Sequence, residues 1–188
     1  MIYNKMREAD IIIFATPVYT FGISSLLKML LERYYGTAKV GEFNLAKSGL
    51  FFHHVDNDIC KKPFVTLVVC DNVEDETPKK VVSFFKTYSK FMDAEMVGAL
   101  VRKSAGMFGF NQEETSNNPV ITCVYSSYIL AGKELATLER ISKPTEKKAN
   151  KPMVKIPFFV KLMLKLGFGR EKIVEAHDKM MHSTIKGV

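Results

Sequence analysis

Two kinds of hydrophobic run alternate along the first hundred residues. Ile11–Ala15, Phe64–Cys70 and Met96–Val101 are short and almost continuously apolar, the pattern of strands covered on both faces of a parallel sheet. Between them, apolar positions recur three and four residues apart. Ile23, Leu26, Leu27, Leu30, Leu31 and Tyr34 predict a helix from Ser24 or Ser25 to about Tyr35. Val81, Val82, Phe84, Phe85, Tyr88 and Phe91 predict a second over Pro78–Met92, with Pro78 in its first turn. Residues 2–8 read as the last turns of a helix, and Gly36 stands where the Ser24–Tyr35 helix should stop. Strand, helix, strand, helix, strand implies an α/β fold with parallel pairing and right-handed crossovers.

The remainder is less regular. Residues 37–62 form a long connection with one short apolar segment, Leu50–Phe52, and Arg102–Asn118 is a polar loop. A last helix is predicted over Val120–Ile141, although Val120–Tyr125 also suits a strand. Pro144, Pro152 and Pro157 then punctuate a Lys-rich linker, which divides the chain into an α/β domain, 1–142, and a tail, 143–188. Three strands are few for a parallel sheet. Ile11–Phe14 is too apolar for an open edge, so a further strand is expected beside it.

Composition narrows the class. At 188 residues, with 47% apolar and 25% charged residues, the chain has the make-up of one globular domain with an appendage. There is no apolar run of spanning length and no secretory pattern at the N-terminus, so a cytoplasmic address is expected. Cys60, Cys70 and Cys123 lie far apart, odd in number and outside metal-type spacings; they read as buried or incidental thiols. The net charge of +7 lies wholly in residues 143–188, which carry eleven Lys and Arg against four acids. A neutral body argues against nucleic acid as a partner.

Candidate chemistry gathers at one loop. Thr16, Pro17, Val18, Tyr19, Thr20, Phe21 and Gly22 follow the first strand, and ligands of open α/β sheets sit at the carboxyl ends of strands. Pro17 fixes backbone, Gly22 permits close approach or positive φ, and Tyr19 and Phe21 offer aromatic faces, so a flat ring suits the loop better than a phosphate. A strand-to-helix turn with core aromatics is the plainer reading of the same residues. Ser24-Ser25 is the local phosphate candidate, more simply read as a helix cap. His53-His54 with Asp56 and Asp58 lacks a third ligand at firm spacing and reads as a polar connection; His177 and His182 read as solvated. No catalytic side chain and no metal site is assigned. In the tail, 157–168 is a mostly apolar helix with Lys161 and Lys165 one turn apart. Such a helix can lie on a membrane surface, but docking on the body or on a partner subunit is preferred.

The stretch Ala9, Asp10, apolar strand, Thr16-Pro17-Val18-Tyr19, Gly22, helix with Lys28, Glu32 and Arg33 resembles the flavodoxin-like NAD(P)H-dependent FMN reductase family, which includes the multimeric flavodoxins and iron–sulfur flavoproteins. Lys62-Pro63 before an apolar strand resembles that family's fourth strand, and Val97-Gly98-Ala99-Leu100-Val101 its fifth; the likeness covers roughly residues 3–140. It implies a flavodoxin-like doubly wound parallel sheet. It also implies that Thr16–Gly22 contacts the isoalloxazine of FMN, with Cys70, Asp71 and Asn72 on the other side.

The implied reaction takes two electrons from NAD(P)H through FMN to a quinone, flavin or similar small-molecule acceptor, in a homo-oligomer. The family's first strand and its phosphate-binding loop have no counterpart before Ile11, so the fold is expected to be N-terminally incomplete. The alternatives are a truncated or diverged flavodoxin-like interaction protein without flavin, and the distal part of a split protein.

Overall fold

Strand order follows chain order in the central sheet. In the computed structural model, which describes residues 2–108, 118–153, 157–169, 171–172 and 174–175, the chain forms two compact units, Met1–Met153 and Val154–Val188. The first contains α1 (Ile2–Glu8), β1 (Ile12–Pro17), α2 (Ser25–Glu32) leading into a 3-10 turn (Arg33–Thr37), β2 (Phe43–Leu45), β3 (Phe51–His53) and α3 (Asn57–Cys60). It continues through β4 (Phe64–Val69), α4 (Glu76–Met92), β5 (Met96–Arg102), a 3-10 turn (Ala105–Phe108), α5 (Pro119–Leu138) and α6 (Lys143–Ala149). The second unit contains α7 (Phe158–Lys165). Strands β1, β4 and β5 lie side by side, all parallel, with Ile12 opposite Phe64 and Leu67 opposite Leu100. This is the α/β architecture expected from three strands separated by helices.

Each face of the sheet has its own core. On one, Phe14 stacks on Phe85 at 5.6 Å and tilts onto Phe64 at 5.5 Å, with Leu31, Tyr34, Ile59 and Val81 around them. Helices α1 to α4 supply this side, and burying one such phenylalanine is worth about 1.5–3 kcal/mol. On the other face, Val65, Val97 and Leu100 are covered by Ala131 of α5, by Ile141 and by Ala149 of α6. That second cover thins toward β1, where Ile13 is 57% exposed and Ala15 is exposed too. Among the described residues the continuous run Ile11–Ala15 stands at the sheet edge and is buried on one face, the further strand expected beside it not being among them, and Phe64–Val69 has the central place.

The opposite edge is sealed. Ile141 N–H donates to Val97 C=O (2.9 Å), and the Asn150 side chain accepts from Val101 N–H (2.7 Å) and donates to Ala99 C=O (2.9 Å). One amide thereby supplies the pairing a neighbouring strand would give. The Lys-rich stretch expected as linker instead opens with α6, capped by Ser142 and held to α5 by Glu134, whose carboxylate accepts from Ser142 N–H, Ser142 Oγ and Thr145 Oγ1. These hydrogen bonds, the Ser142 backbone first, hold the Glu134 carboxyl below its usual range.

Other boundaries moved for identifiable reasons. Gly36 lies inside the 3-10 turn rather than ending α2. The 37–62 connection contains an antiparallel hairpin, with Phe43 opposite His53 and Leu45 opposite Phe51. Helix α5 begins at Pro119, where Asn118 Oδ1 accepts from Val120 and Ile121 N–H, so the strand-like alternative for Val120–Tyr125 is not taken. It ends at Leu138 because Glu139 turns left-handed (φ 54°), which frees Ile141 for the β5 edge.

Candidate functional site

Parallel pairing of β1 with β4 brings two of the singled-out loops to one end of the sheet, because Pro17 and Val69 are register partners. Thr16 is buried; its Oγ1 accepts from Ser24 N–H and donates to Pro17 C=O, both at 2.9 Å. Val18 N–H reaches Val69 C=O at 2.8 Å, so the loop leaves the sheet only after Val18. Tyr19–Gly22 then forms a tight turn closed by Gly22 N–H to Tyr19 C=O (3.1 Å).

Positive φ in that turn falls on Thr20 (44°) and Phe21 (66°), not on Gly22, so of the two roles expected for the glycine close approach is the one left. Holding two side-chain-bearing residues left-handed costs roughly 1–2 kcal/mol each. Such strain clusters at ligand-binding segments. Tyr19 and Phe21 are both exposed, and the space beside Gly22 is open.

The second loop is tied to a third. Cys70 N–H donates to Arg102 C=O (2.9 Å), Asp71 Oδ1 accepts from Gly106 N–H (3.0 Å), and Asn72 C=O accepts from Ser104 N–H (3.4 Å). Burial pushes the Cys70 thiol up, which leaves it protonated at neutral pH. Sequence reasoning missed the two cations at the end of β5, Arg102 within the strand and Lys103 just after it. Arg102 is only 6% exposed; its guanidinium donates to the carbonyls of Lys103, Ala149 and Lys151 and lies 5.0 Å from the Phe108 ring. Lys103 Nζ bonds Val73 C=O (2.9 Å) and Asp75 (2.5 Å), an ion pair that holds the Asp75 carboxyl below its usual range. Two adjacent cations closing an apolar strand were the available signal.

Other candidates go elsewhere. Ser24 caps α2 through Leu27 N–H (3.4 Å), and its own N–H is held by Thr16, so it is a cap and not a free phosphate donor. His53 packs between the rings of Phe43 (5.3 Å) and Tyr35 (5.4 Å). Asp56 caps α3 through Asp58 N–H and pairs with Arg7 at 2.5 Å. Among the described residues no three His, Cys, Asp or Glu are grouped to hold a metal. A small cleft under the β2–β3 hairpin, of about 10 Å³ and lined by Phe52, His53, Val55 and Phe91 among others, takes no residue from either loop.

Residues 1–53 match the family model of NADPH-dependent FMN reductase. The match takes in α1, β1, the Thr16–Gly22 turn, α2 and the hairpin. Among solved structures the chain is similar to the Trp repressor binding protein from Bacillus subtilis, at 20% identity over 54% of this chain and 55% of that one, with a TM-score of 0.43. The chain thus spans about half the length of that structure. No curated protein matches it.

Proposed function

We propose that this chain serves an FMN-dependent NAD(P)H oxidoreductase, passing electrons to a quinone, flavin or similar small acceptor, as a cytoplasmic homo-oligomer. The observation that carries the reading is the coincidence of the FMN reductase match with a strained, aromatic-tipped turn at the carboxyl end of β1. FMN, when bound, accepts a hydride equivalent from the nicotinamide and passes two electrons onward. The chain's own residues would do the holding. Thr16 locks the loop base to Ser24, Tyr19 and Phe21 offer faces or edges to a flat ring, and Cys70–Asn72 follows the paired strand at the same end of the sheet.

Exposed Tyr19 and Phe21 support the ring side; on the phosphate side Ser24 gives no support, because its N–H and hydroxyl are committed within the fold. Residues beyond those described, or a second chain, would have to hold the phosphate. That same self-satisfied loop favours the second reading, an interaction protein without flavin.

Flavin titration separates the two. The expected result is quenching of FMN fluorescence on binding, with bleaching of the bound flavin by NADPH or NADH. Replacing both Tyr19 and Phe21 with Ala should weaken FMN about tenfold, since aromatic contacts are worth about 0.5–1.5 kcal/mol each. A colourless protein with no affinity for FMN leaves the flavin-free reading standing.

A further inference from the structure

The second unit carries the largest concentration of exposed apolar side chains. In and just after α7, Phe158, Phe159, Leu162, Met163, Leu166 and Phe168 are all exposed, Phe158 at 80%, while Val160 and Leu164 are half-buried. Positions 158, 159, 162, 163 and 166 recur at helical spacing and make one stripe. The helix end extends that stripe. Phe168 N–H donates to Met163 C=O (2.9 Å) and Gly167 N–H to Leu164 C=O (3.1 Å), with Gly167 left-handed at φ 91°. This pair of bonds closes a helix C-terminus and commonly sets the residue after the glycine against the residue five back, here Phe168 on Met163.

Charge identifies the occupant. Residues 154–188 carry seven Lys and Arg against three acids, a net +4, and Lys165 is exposed beside the stripe, with Lys172 exposed further on. Each Lys or Arg near an anionic bilayer contributes about 1 kcal/mol. Among the described residues no helix is long and apolar enough to cross a membrane.

We propose that α7 and Phe168 lie in the headgroup layer of an anionic lipid bilayer, apolar stripe inward, with the tail's lysines and arginines on the lipid charges. This reverses the preference for docking. A protein surface would bury the stripe equally well, but it gives no general reason for a net +4 on the 35 residues that carry it. Attachment of this kind is reversible and salt-sensitive.

Flotation of the full chain with vesicles tests it. Vesicles of phosphatidylcholine with phosphatidylglycerol should carry at least tenfold more protein than phosphatidylcholine alone. The difference should vanish as salt rises from about 0.1 to 1 M, where the screening length falls from about 10 to 3 Å. Leu162→Glu with Met163→Glu should abolish flotation while leaving the circular dichroism of the body unchanged; Lys165→Glu with Lys172→Glu should weaken it. Equal recovery on both vesicles, or flotation that survives the Leu162/Met163 change, overturns the proposal. So does a change of assembly size in the Leu162/Met163 variant without vesicles and without loss of flotation, which would make the stripe a contact between copies.

Discussion

Gly98 faces Ile141 so closely that a Cβ there would stand 2.6 Å from Ile141 Cδ1 and 3.2 Å from its Cβ. The glycine is needed for approach, not for backbone freedom, because Ile141 must come near enough to bond Val97 C=O. Gly98→Ala should therefore destabilise by about 1–3 kcal/mol, the usual range for overpacking. Adding Ile141→Ala should recover part of that loss, as seen in paired urea titrations; additive losses would refute the close-approach account. At this scale the sequence was only half readable. Val97-Gly98-Ala99 reads as strand, but the residue above it is more than forty positions away. The same limit applies at Thr20 and Phe21, a left-handed pair in a turn whose base is tied by the Thr16–Ser24 bond.

Elements with one dominant period were legible, and those held by long-range partners were not. Phe64–Val69 and Glu76–Met92 follow from their patterns, whereas the β2–β3 hairpin exposes Phe43, Leu45 and Phe51 and so shows no polar-out alternation. Helix α6 was hidden because Ala149 is its deepest residue and its lysines read as linker. Short helices need such outside support. For α1 and α3 it comes from Asp56, which caps α3 and pairs with Arg7.

The Arg7 bond is the main cause that holds the Asp56 carboxyl below its usual range. A lowered folded value means that the stabilisation is complete above the unfolded value of about 4 and is lost as pH falls through the lower, folded one. Asp56→Ala should cost about 1 kcal/mol at neutral pH, much of it the cap. The gap from the parent should close in acid below pH about 4, as measured by thermal melts across pH. A gap that persists at low pH would assign the cost to packing.

Across the whole molecule, the candidate site lies where parallel strands end, and that much followed from strand order. What the sequence could not reveal was how differently the sheet's two edges are treated. Asn150 reads as one polar residue in a Lys-rich segment, yet it satisfies two backbone groups of β5. Asn150→Ala should remove about 1–3 kcal/mol by leaving both groups unpaired. It should also raise light scattering at concentrations where the parent is clear, because β5 then becomes an available edge. Unchanged unfolding midpoint and scattering would count against the sealing role.

The sealed edge has a further consequence for symmetry. A sheet open at both ends can add copies without limit, since each addition presents a fresh edge. Here, in the central sheet and among the described residues, β1 alone presents one. Two molecules that meet β1 to β1 about a two-fold axis use up the single free edge on each, and the assembly closes. In such a pair sheet extension would stop, and Ile141 and Asn150, which together close the β5 edge, set that limit.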